Sequence, residues 1–248
     1  MKKTLLACAV SAAVMLPSLA SAELSTTVGL VSDYTFNGVS QTTGDPALQV
    51  SLDYDAGAFY VGTWASNVDF GKDEKTNIEW DFYAGKYFQL SQALSLDTGI
   101  AYYTYHGQNH ESESAPGAGD VKIASDDYAY PEIYAKTGFS SVLGQTELNL
   151  WYSWDYFGLG GGHTVAMLAQ SYEVVEGHTL RLSIDQSDSQ DETKWQWDGK
   201  DSYVHYRLAY QTSYEGFDFE VAAEDTSMTD VKAADARIVA GVSYTFGL

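Results

Sequence analysis

Apolar and polar residues alternate one by one in segment after segment of this 248-residue chain. Leu48, Val50 and Leu52 alternate with polar residues in one segment, and Ile238 and Val242 hold apolar positions in the last one. Successive side chains of a β-strand point to opposite faces, so each segment has one apolar and one polar face. The pattern predicts an all-β protein whose apolar faces meet either a second sheet or lipid.

Twelve segments have this strand pattern, and no segment after the N-terminal leader has the period of a helix. The predicted strands are Leu24–Phe36, Ala47–Tyr54, Ala58–Ser66, Asn77–Phe88, Ala93–Tyr105, Tyr128–Phe139, Gln145–Asp155, His163–Glu173, His178–Asp185, Ser202–Ser213, Phe217–Glu224 and Asp235–Phe246. The connections between them are alternately long and short, beginning with a long one. An even strand number then places every tight turn and both chain ends on one side. Short periplasmic turns opposite long extracellular loops are typical of antiparallel up-and-down barrels of the outer membrane.

The first residues are organised like a secretory signal peptide. Two lysines precede an apolar stretch, and Ala20-Ser21-Ala22 provides a small-residue cleavage site. We expect residues 1–22 to be removed after export by the general secretory route and residues 23–248 to form the barrel. Cys8, the only cysteine of the chain, lies in this leader. The mature protein therefore has no disulfide to stabilise it.

The chain is strongly acidic, with 34 Asp and Glu residues against 13 Lys and Arg residues and a net charge of -21. This charge argues against nucleic acid as a partner and against electrostatic attachment to anionic lipid. A content of 45% hydrophobic and 14% aromatic residues argues against disorder. No apolar run after the leader is long enough for a membrane helix. If the mature protein spans a membrane, it must do so as a closed barrel.

A soluble β-sandwich is the alternative fold, since its strands also alternate between an inner and an outer face. A sandwich, however, does not sort its connections by length so regularly. Eight aromatic residues also lie near predicted strand ends, where the two lipid interfaces of a membrane barrel favour them. They are Tyr34, Phe36, Trp80, Tyr102, Trp154, Tyr206, Tyr244 and Phe246. These features together favour the transmembrane barrel, in a single domain.

Four blocks of sequence resemble the TorF family of porins, also catalogued as Gcw_chp, a conserved hypothetical bacterial family. The blocks are Val31–Thr42 with Pro46–Gln49, Tyr60–Phe70, Glu79–Gly85 and Tyr152–Gly158, and the similarity covers nearly the whole mature chain. The residues that carry the N-terminal motif are Asp33, Tyr34, Phe36, Gly38, Ser40, Gln41, Trp64, Ser66 and Asn67. The resemblance implies a barrel in the outer membrane of a Gram-negative cell, and it names no substrate. Asn37 stands where the family usually has arginine, so a role of that arginine does not transfer.

If the apolar phase of the strands faces lipid, the opposite phase lines the lumen. By strand parity this lining includes the carboxylates Asp53, Glu79, Asp81, Asp97, Glu147, Asp185, Asp218, Glu220 and Glu224, together with Arg181, Arg207, Arg237 and His205. A lining dominated by carboxylates concentrates cations and repels anions. We therefore expect a porin-like channel for passive diffusion of small solutes, with a weak preference for cations. The alternative is that the charges pair and plug the lumen. The barrel would then conduct nothing and serve adhesion or envelope structure.

An enzyme is the third alternative, and the sequence does not favour it. Glu79 and Asp81 are two residues apart and share a strand face, like a pair of catalytic carboxylates, but this spacing is simply the period of a strand. The chain has neither a nucleophile elbow nor an HExxH motif. We expect no cofactor and no bound metal. The C-terminal strand, with Gly241, Tyr244 and Phe246, is similar to the signal read by the barrel-assembly machinery. The expected partners are that machinery, outer-membrane lipid, lipopolysaccharide and small solutes.

Overall fold

Twelve antiparallel strands form one closed barrel in the computed structural model of the protein, which describes residues 23–71, 75–107, 128–197 and 199–248. The strands of the chain are β1 (Glu23–Val31), β2 (Thr35–Phe36), β3 (Val39–Ser40), β4 (Ala47–Asp55), β5 (Phe59–Asn67), β6 (Ile78–Gln89), β7 (Leu94–His106), β8 (Tyr130–Ser141), β9 (Gly144–Ser153), β10 (His163–Val175), β11 (His178–Ser189), β12 (Ser202–Tyr214), β13 (Phe217–Thr226) and β14 (Arg237–Gly247). Sequential neighbours pair around the ring, and β1 closes it against β14. The predicted barrel is confirmed, and the sandwich is excluded. The expected signal peptide lies outside the described residues.

The connections sort by length onto the two ends of the barrel, as predicted. Five tight turns, the first residue of β1 and the last residue of β14 lie together on one side of the barrel, which we call the turn end. The other end, the long-loop end, carries the described residues 32–46, 68–71, 75–77, 107, 128–129, 154–162, 190–197, 199–201 and 227–236. The turn between β12 and β13 shows why some of these connections can be so short. Glu215 and Gly216 both have positive φ, 50° and 85°, which is the backbone of a two-residue turn that matches the twist of paired strands.

The outer face of the barrel is apolar and exposed, as Leu48, Leu182 and Leu208 illustrate. Such a surface would be an aggregation hazard in water and fits contact with lipid. Among the residues that the structure describes, no helix is long and apolar enough to cross a membrane. Trp80, Tyr102, Trp154, Tyr206 and Phe246 are exposed on the outside and Tyr244 is half-buried on the outer phase of β14, as expected of interface girdles.

Two of the eight aromatic residues expected at the lipid interface lie inside the barrel instead. Tyr34 is buried with its ring 5.3 Å from that of Trp64. Phe36 is half-buried and packs 6.1 Å from the ring of Tyr103. The prediction for these two residues was wrong because it continued the first strand to Phe36, whereas β1 ends at Val31.

The chain turns inward after β1 and forms a small hairpin within the mouth of the barrel. Asp33 Oδ1 accepts hydrogen bonds from the hydroxyls of Ser40 (2.6 Å) and Thr42 (3.0 Å). These local bonds compete with continuation of the strand. β2 then pairs with β3 across a turn in which Asn37 and Gly38 have φ of 49° and 79°. We call residues 35–40 the inner hairpin.

The largest apolar cluster fills the long-loop end of the barrel. It combines one residue of the inner hairpin with strand residues and with side chains of the long loops. Its buried members are Val39, Tyr105, Tyr128, Tyr130, Tyr156, Phe157, Trp195, Trp197, Tyr203, Met228 and Ala234. We call this cluster the mouth plug. The hydrophobic core of this protein therefore lies inside one end of the barrel and not between two sheets.

Candidate functional site

The charged residues that strand parity assigned to the lumen all lie on the inward phase of their strands. Their accessibility differs along the barrel axis. Glu79 and Asp81 are only 1% and 7% exposed, whereas Asp53 and Asp97 are half-buried. Also half-buried are Arg207, Glu220 and Arg237, and the buried members are Glu147, Arg181, Asp185, His205, Asp218 and Glu224.

One side of the inner surface carries carboxylates and no inward-facing lysine or arginine among its described residues. This side comprises β4 to β7, with Asp53, Glu79, Asp81 and Asp97 as its central acidic residues, and we call it the acidic wall. The single lysine of these strands, Lys86, is on the outer phase, where its ammonium lies 4.6 Å from the centre of the Phe59 ring. The charge of the acidic wall is thus not neutralised from within its own strands.

The opposite side, from β8 to β14, holds all the inward-facing cationic residues of the described strands, and most of them are paired. Arg181 Nη2 donates to Glu147 Oε2 at 3.0 Å. Arg207 bridges Glu220 and Glu224, with 3.3 Å between its Nε and Glu224 Oε2. Ion pairs of this kind, buried or half-buried, leave little net charge to act on a solute.

His205 lies between two carboxylates in a second network of ion pairs. Its Nδ1 lies 2.9 Å from Asp185 Oδ2, and its Nε2 lies 3.7 Å from Glu224 Oε2. A carboxylate oriented on one nitrogen is also found in hydrolase triads, but there the second nitrogen faces a nucleophile. Here it faces another carboxylate. The arrangement does not have the geometry of a triad.

Three carboxylates lie sealed in the half of the barrel next to the mouth plug. Glu79 Oε1 accepts a hydrogen bond from the Tyr105 hydroxyl at 2.8 Å, and Glu132 Oε1 accepts one from Tyr103 at 2.9 Å. Asp81 Oδ1 is buried without a hydrogen-bond partner. Within the described ranges, no group of three or more metal-ligating side chains has the geometry to hold a metal ion.

The inner hairpin is fastened to the last strands of the barrel. Arg237 Nη1 donates to Asp33 Oδ2 at 2.9 Å, and the Tyr203 hydroxyl donates to the carbonyl of Asn37 at 2.9 Å. Gly38 lies against the imidazole of His205, since a Cβ at that glycine would come within 2.6 Å of His205 Cδ2. The hairpin and the mouth plug together close the long-loop end.

The residues of the family motif converge on this closure. Asp33, Tyr34, Phe36, Gly38, Ser40 and Gln41 belong to the inner hairpin and its base, and Trp64, Ser66 and Asn67 belong to the adjoining end of β5. Burial, reinforced by the charges of Glu79 and Asp81, holds the pKa of the Tyr34 hydroxyl well above its ordinary value.

Several inward residues were not among the sequence-based candidates. Glu132 and Lys136 lie on the inward phase of β8 and follow from the same parity rule. Tyr60, Tyr83 and Tyr134 form a further inward group, each directly opposite a glycine on the neighbouring strand. Parity alone does not identify them, because tyrosine is common on both faces of a membrane barrel.

Comparison with known proteins agrees with this architecture. The family model described as "Bacterial protein of unknown function (Gcw_chp)" matches residues 18–168. No curated protein matches the chain by sequence. The KdgM porin, solved in complex with disordered oligogalacturonate, is similar with a TM-score of 0.54 at 9% identity, over 90% of this chain and 99% of that one. The NanC porin is similar with a TM-score of 0.53 at 8% identity, over 90% of this chain and 98% of that one. At such identities the likeness shows the fold alone, which is the barrel of outer-membrane porins.

Proposed function

The chain belongs to the bacterial family of unknown function Gcw_chp, and we propose that it is an outer-membrane channel for passive diffusion of small neutral or cationic solutes. One observation carries this proposal: the acidic wall faces the lumen with charge that its own strands do not neutralise. Asp97 lies directly opposite Lys136 of β8, whereas Asp53, Glu79 and Asp81 have no cation opposite them on a neighbouring strand. Carboxylates on an inner surface without such a partner are costly unless they interact with water or with a passing solute. The assignment to the TorF porins and the residence in a Gram-negative outer membrane belong to this proposal.

Selectivity would arise where the carboxylates reach water. Asp53 and Asp97 are half-buried near the turn end, so they would attract mobile cations and repel anions in the narrow lumen. The buried Glu79 and Asp81 would add to the field through a medium of low dielectric constant. By this proposal the turn end faces the periplasm, the mouth plug faces the cell exterior, and the structure represents the closed state.

The biogenesis of the protein follows from the same proposal. The leader would direct the chain through the general secretory route, and the barrel-assembly machinery would insert it next to lipopolysaccharide. The acidic long loops would share divalent cations with the phosphates of that lipid. These partners rest on the sequence and on the porin-type fold.

A non-conducting barrel is the second candidate, and the mouth plug is the observation that favours it. Tyr130, Phe157, Trp195 and Trp197 are at most 2% exposed, so the long-loop end is closed by packed rings. A barrel that stays closed would serve adhesion or envelope structure. The hydrolase alternative has no comparable support, because His205 faces Asp185 and Glu224 on its two ring nitrogens.

Planar-bilayer recording of the refolded mature protein tests the proposal. We expect conductance steps and, in a potassium chloride gradient, a reversal potential that indicates cation preference. Asp53→Asn with Asp97→Asn should reduce that preference. Asp225→Asn, which removes an exposed carboxylate from the outer phase of β13, is the matched control and should leave it unchanged. The absence of conductance under all conditions would favour the non-conducting barrel, and anion preference would contradict the role of the acidic wall.

A further inference from the structure

Three tyrosines on β5, β6 and β8 form cross-strand pairs with glycines on the inner surface. Tyr60 of β5 lies opposite Gly85 of β6, and Tyr83 of β6 lies opposite Gly62 of β5. Tyr134 of β8 lies opposite Gly99 of β7. We call Tyr60, Tyr83 and Tyr134 the tyrosine belt. All three residues are half-buried, unlike the aromatic residues of the mouth plug.

The glycines allow these rings to lie flat across the neighbouring strands. A Cβ at Gly85 would overlap the hydroxyl end of Tyr60, and one at Gly99 would overlap that of Tyr134. A Cβ at Gly62 would come within 2.5 Å of the Tyr83 ring. With no side chain beneath it, each ring rests on the backbone. The ring faces opposite the backbone are therefore turned toward the lumen.

Carboxylates of the acidic wall hold the far ends of the rings. The Tyr60 hydroxyl donates to Asp97, at 2.7 Å from Oδ1 and 2.9 Å from Oδ2, and lies 2.6 Å from the Tyr134 hydroxyl. The Tyr83 hydroxyl donates to Asp53 Oδ1. Asp53 Oδ2 also accepts from Ser51 at 2.7 Å. Each ring is fixed at its Cα and at its hydroxyl, which lowers the entropic cost of using it as a binding surface.

The belt is not uniform, because a cation lies over one of its rings. The ammonium of Lys136 is 4.3 Å from the centre of the Tyr134 ring. Tyr134 therefore anchors the Tyr60 hydroxyl and leaves the stacking surface to Tyr60 and Tyr83. Next to these two rings are the hydrogen-bond acceptors Asp53 and Asp97 and the donor Lys136.

We propose that Tyr60 and Tyr83, with Asp53 and Asp97, form a binding site for the ring of a neutral, hydroxyl-rich solute such as a pyranose sugar. The C–H face of the sugar would stack on the tyrosine rings, and its hydroxyls would donate to the carboxylates. An anionic sugar would be disfavoured because the two carboxylates outnumber the single ammonium of Lys136 beside them. This inference deepens the proposed channel function, since it names a class of solute for the lumen.

Saturation-transfer NMR on the detergent-solubilised mature protein tests the site, because the rings of the belt are half-buried and are not part of the mouth plug. Glucose and glucuronate are the probes, since they share a ring and differ in charge. We expect transfer to the ring protons of glucose and at least a fivefold weaker signal for glucuronate. Equal signals for the two sugars would overturn the proposal.

Variants assign the signal to the belt. Tyr60→Ala with Tyr83→Ala should reduce the glucose signal at least fivefold, while Tyr152→Ala with Tyr206→Ala, which removes two exposed outer rings, should leave it unchanged. Tyr60→Phe with Tyr83→Phe keeps the stacking surface and should retain most of the signal, provided that heat-modifiable migration shows a folded barrel. If the alanine pair does not fold, Asp53→Asn with Asp97→Asn provides the test. This variant should weaken the saturation-transfer signal of glucose and remove the difference between glucose and glucuronate.

Failure of this proposal can be distinguished from failure of the channel function. Conductance without tyrosine-dependent sugar binding would overturn the site and leave the channel. Sugar binding at the belt without conductance would retain the site and overturn the channel.

Discussion

At the scale of single residues, the inner surface is shaped by positions where a side chain is missing. Gly29 and Gly85 are both inward-facing glycines of barrel strands, yet their surroundings differ. A Cβ at Gly29 would lie 3.5 Å from Ser243 Cβ, which is ordinary van der Waals contact. A Cβ at Gly85 would overlap the Tyr60 ring. The inner surface therefore requires glycine at position 85, whereas position 29 has room for a larger residue.

Gly85→Ala is expected to destabilise the barrel by about 1–3 kcal/mol, because the new methyl group forces the Tyr60 ring off the wall. Gly29→Ala is the matched control and should change the free energy of unfolding by less than about 0.5 kcal/mol. Urea-induced unfolding in lipid vesicles measures both. Adding Tyr60→Ala to Gly85→Ala should restore part of the loss. Equal stabilities of the two single variants would show that the ring is not held against Gly85.

His163 presents the opposite case, a polar side chain where the surroundings are apolar. It is 1% exposed, neither ring nitrogen has a hydrogen-bond partner, and its ring lies 4.2 Å from that of Tyr156 and 5.7 Å from that of Trp195. A buried polar group without a partner costs about 1–3 kcal/mol. The mouth plug is therefore less stable than its aromatic content alone would make it.

His163→Leu is expected to stabilise the closed barrel by about 1 kcal/mol, since it removes the unpaired polar group and keeps an apolar side chain of similar size. His178→Leu is the control, because His178 at the turn end has a partner in the Tyr210 hydroxyl at 2.5 Å. That variant should be neutral or destabilising. Urea titration of both variants measures the change in the free energy of unfolding. A destabilised His163→Leu protein would mean that the imidazole makes an essential polar contact.

At the scale of elements, the sequence predicted the barrel strands well and missed the inner hairpin. Alternation with period two is imposed by lipid on one side and polar groups on the other, so it marks where strands run. The same alternation continues past Val31 into the segment with Tyr34 and Phe36. There the bonds that Asp33 accepts from Ser40 and Thr42 redirect the chain. Hydrogen bonds that depend on residues brought together by a turn leave no periodic trace in a sequence.

The inner hairpin is expected to open more easily when its tie to the last strand is removed. Arg237→Gln eliminates the ion pair between Arg237 and Asp33. The side chains of these two residues are 14% and 10% exposed, respectively. A loss of about 1–2 kcal/mol corresponds to a factor of about 5–30 in the balance between closed and open states. Single-channel recording should show a matching rise in open probability. Lys232→Gln removes an exposed charge from the adjoining loop and is the control. Unchanged gating in Arg237→Gln would exclude the hairpin as the moving part.

At the scale of the whole molecule, charge is divided unevenly between the two sides of the lumen. The acidic wall keeps Asp53 and Asp97 half-buried, whereas the opposite side pairs Arg181 and Arg207 with glutamates. Strand parity predicted that these charges face inward, but pairing depends on which strands are neighbours and on side-chain length. For that reason the sequence could not separate the carboxylates that form ion pairs with arginine from those that do not, or foresee that Glu79 would be sealed beneath the mouth plug.

The uneven distribution of charge around the lumen predicts that cation preference depends on salt concentration. The field of half-buried carboxylates is screened over about 10 Å at 0.1 M salt and about 3 Å at 1 M. Across equal tenfold potassium chloride gradients, the reversal potential should therefore be larger when the gradient is centred near 0.1 M than near 1 M. Asp53→Asn with Asp97→Asn should give smaller values that vary less between the two conditions. Glu79→Gln should change them less than that pair does, because Glu79 is sealed from the lumen. A preference that is the same at both concentrations would point to selection by pore width instead of by the charge of the acidic wall.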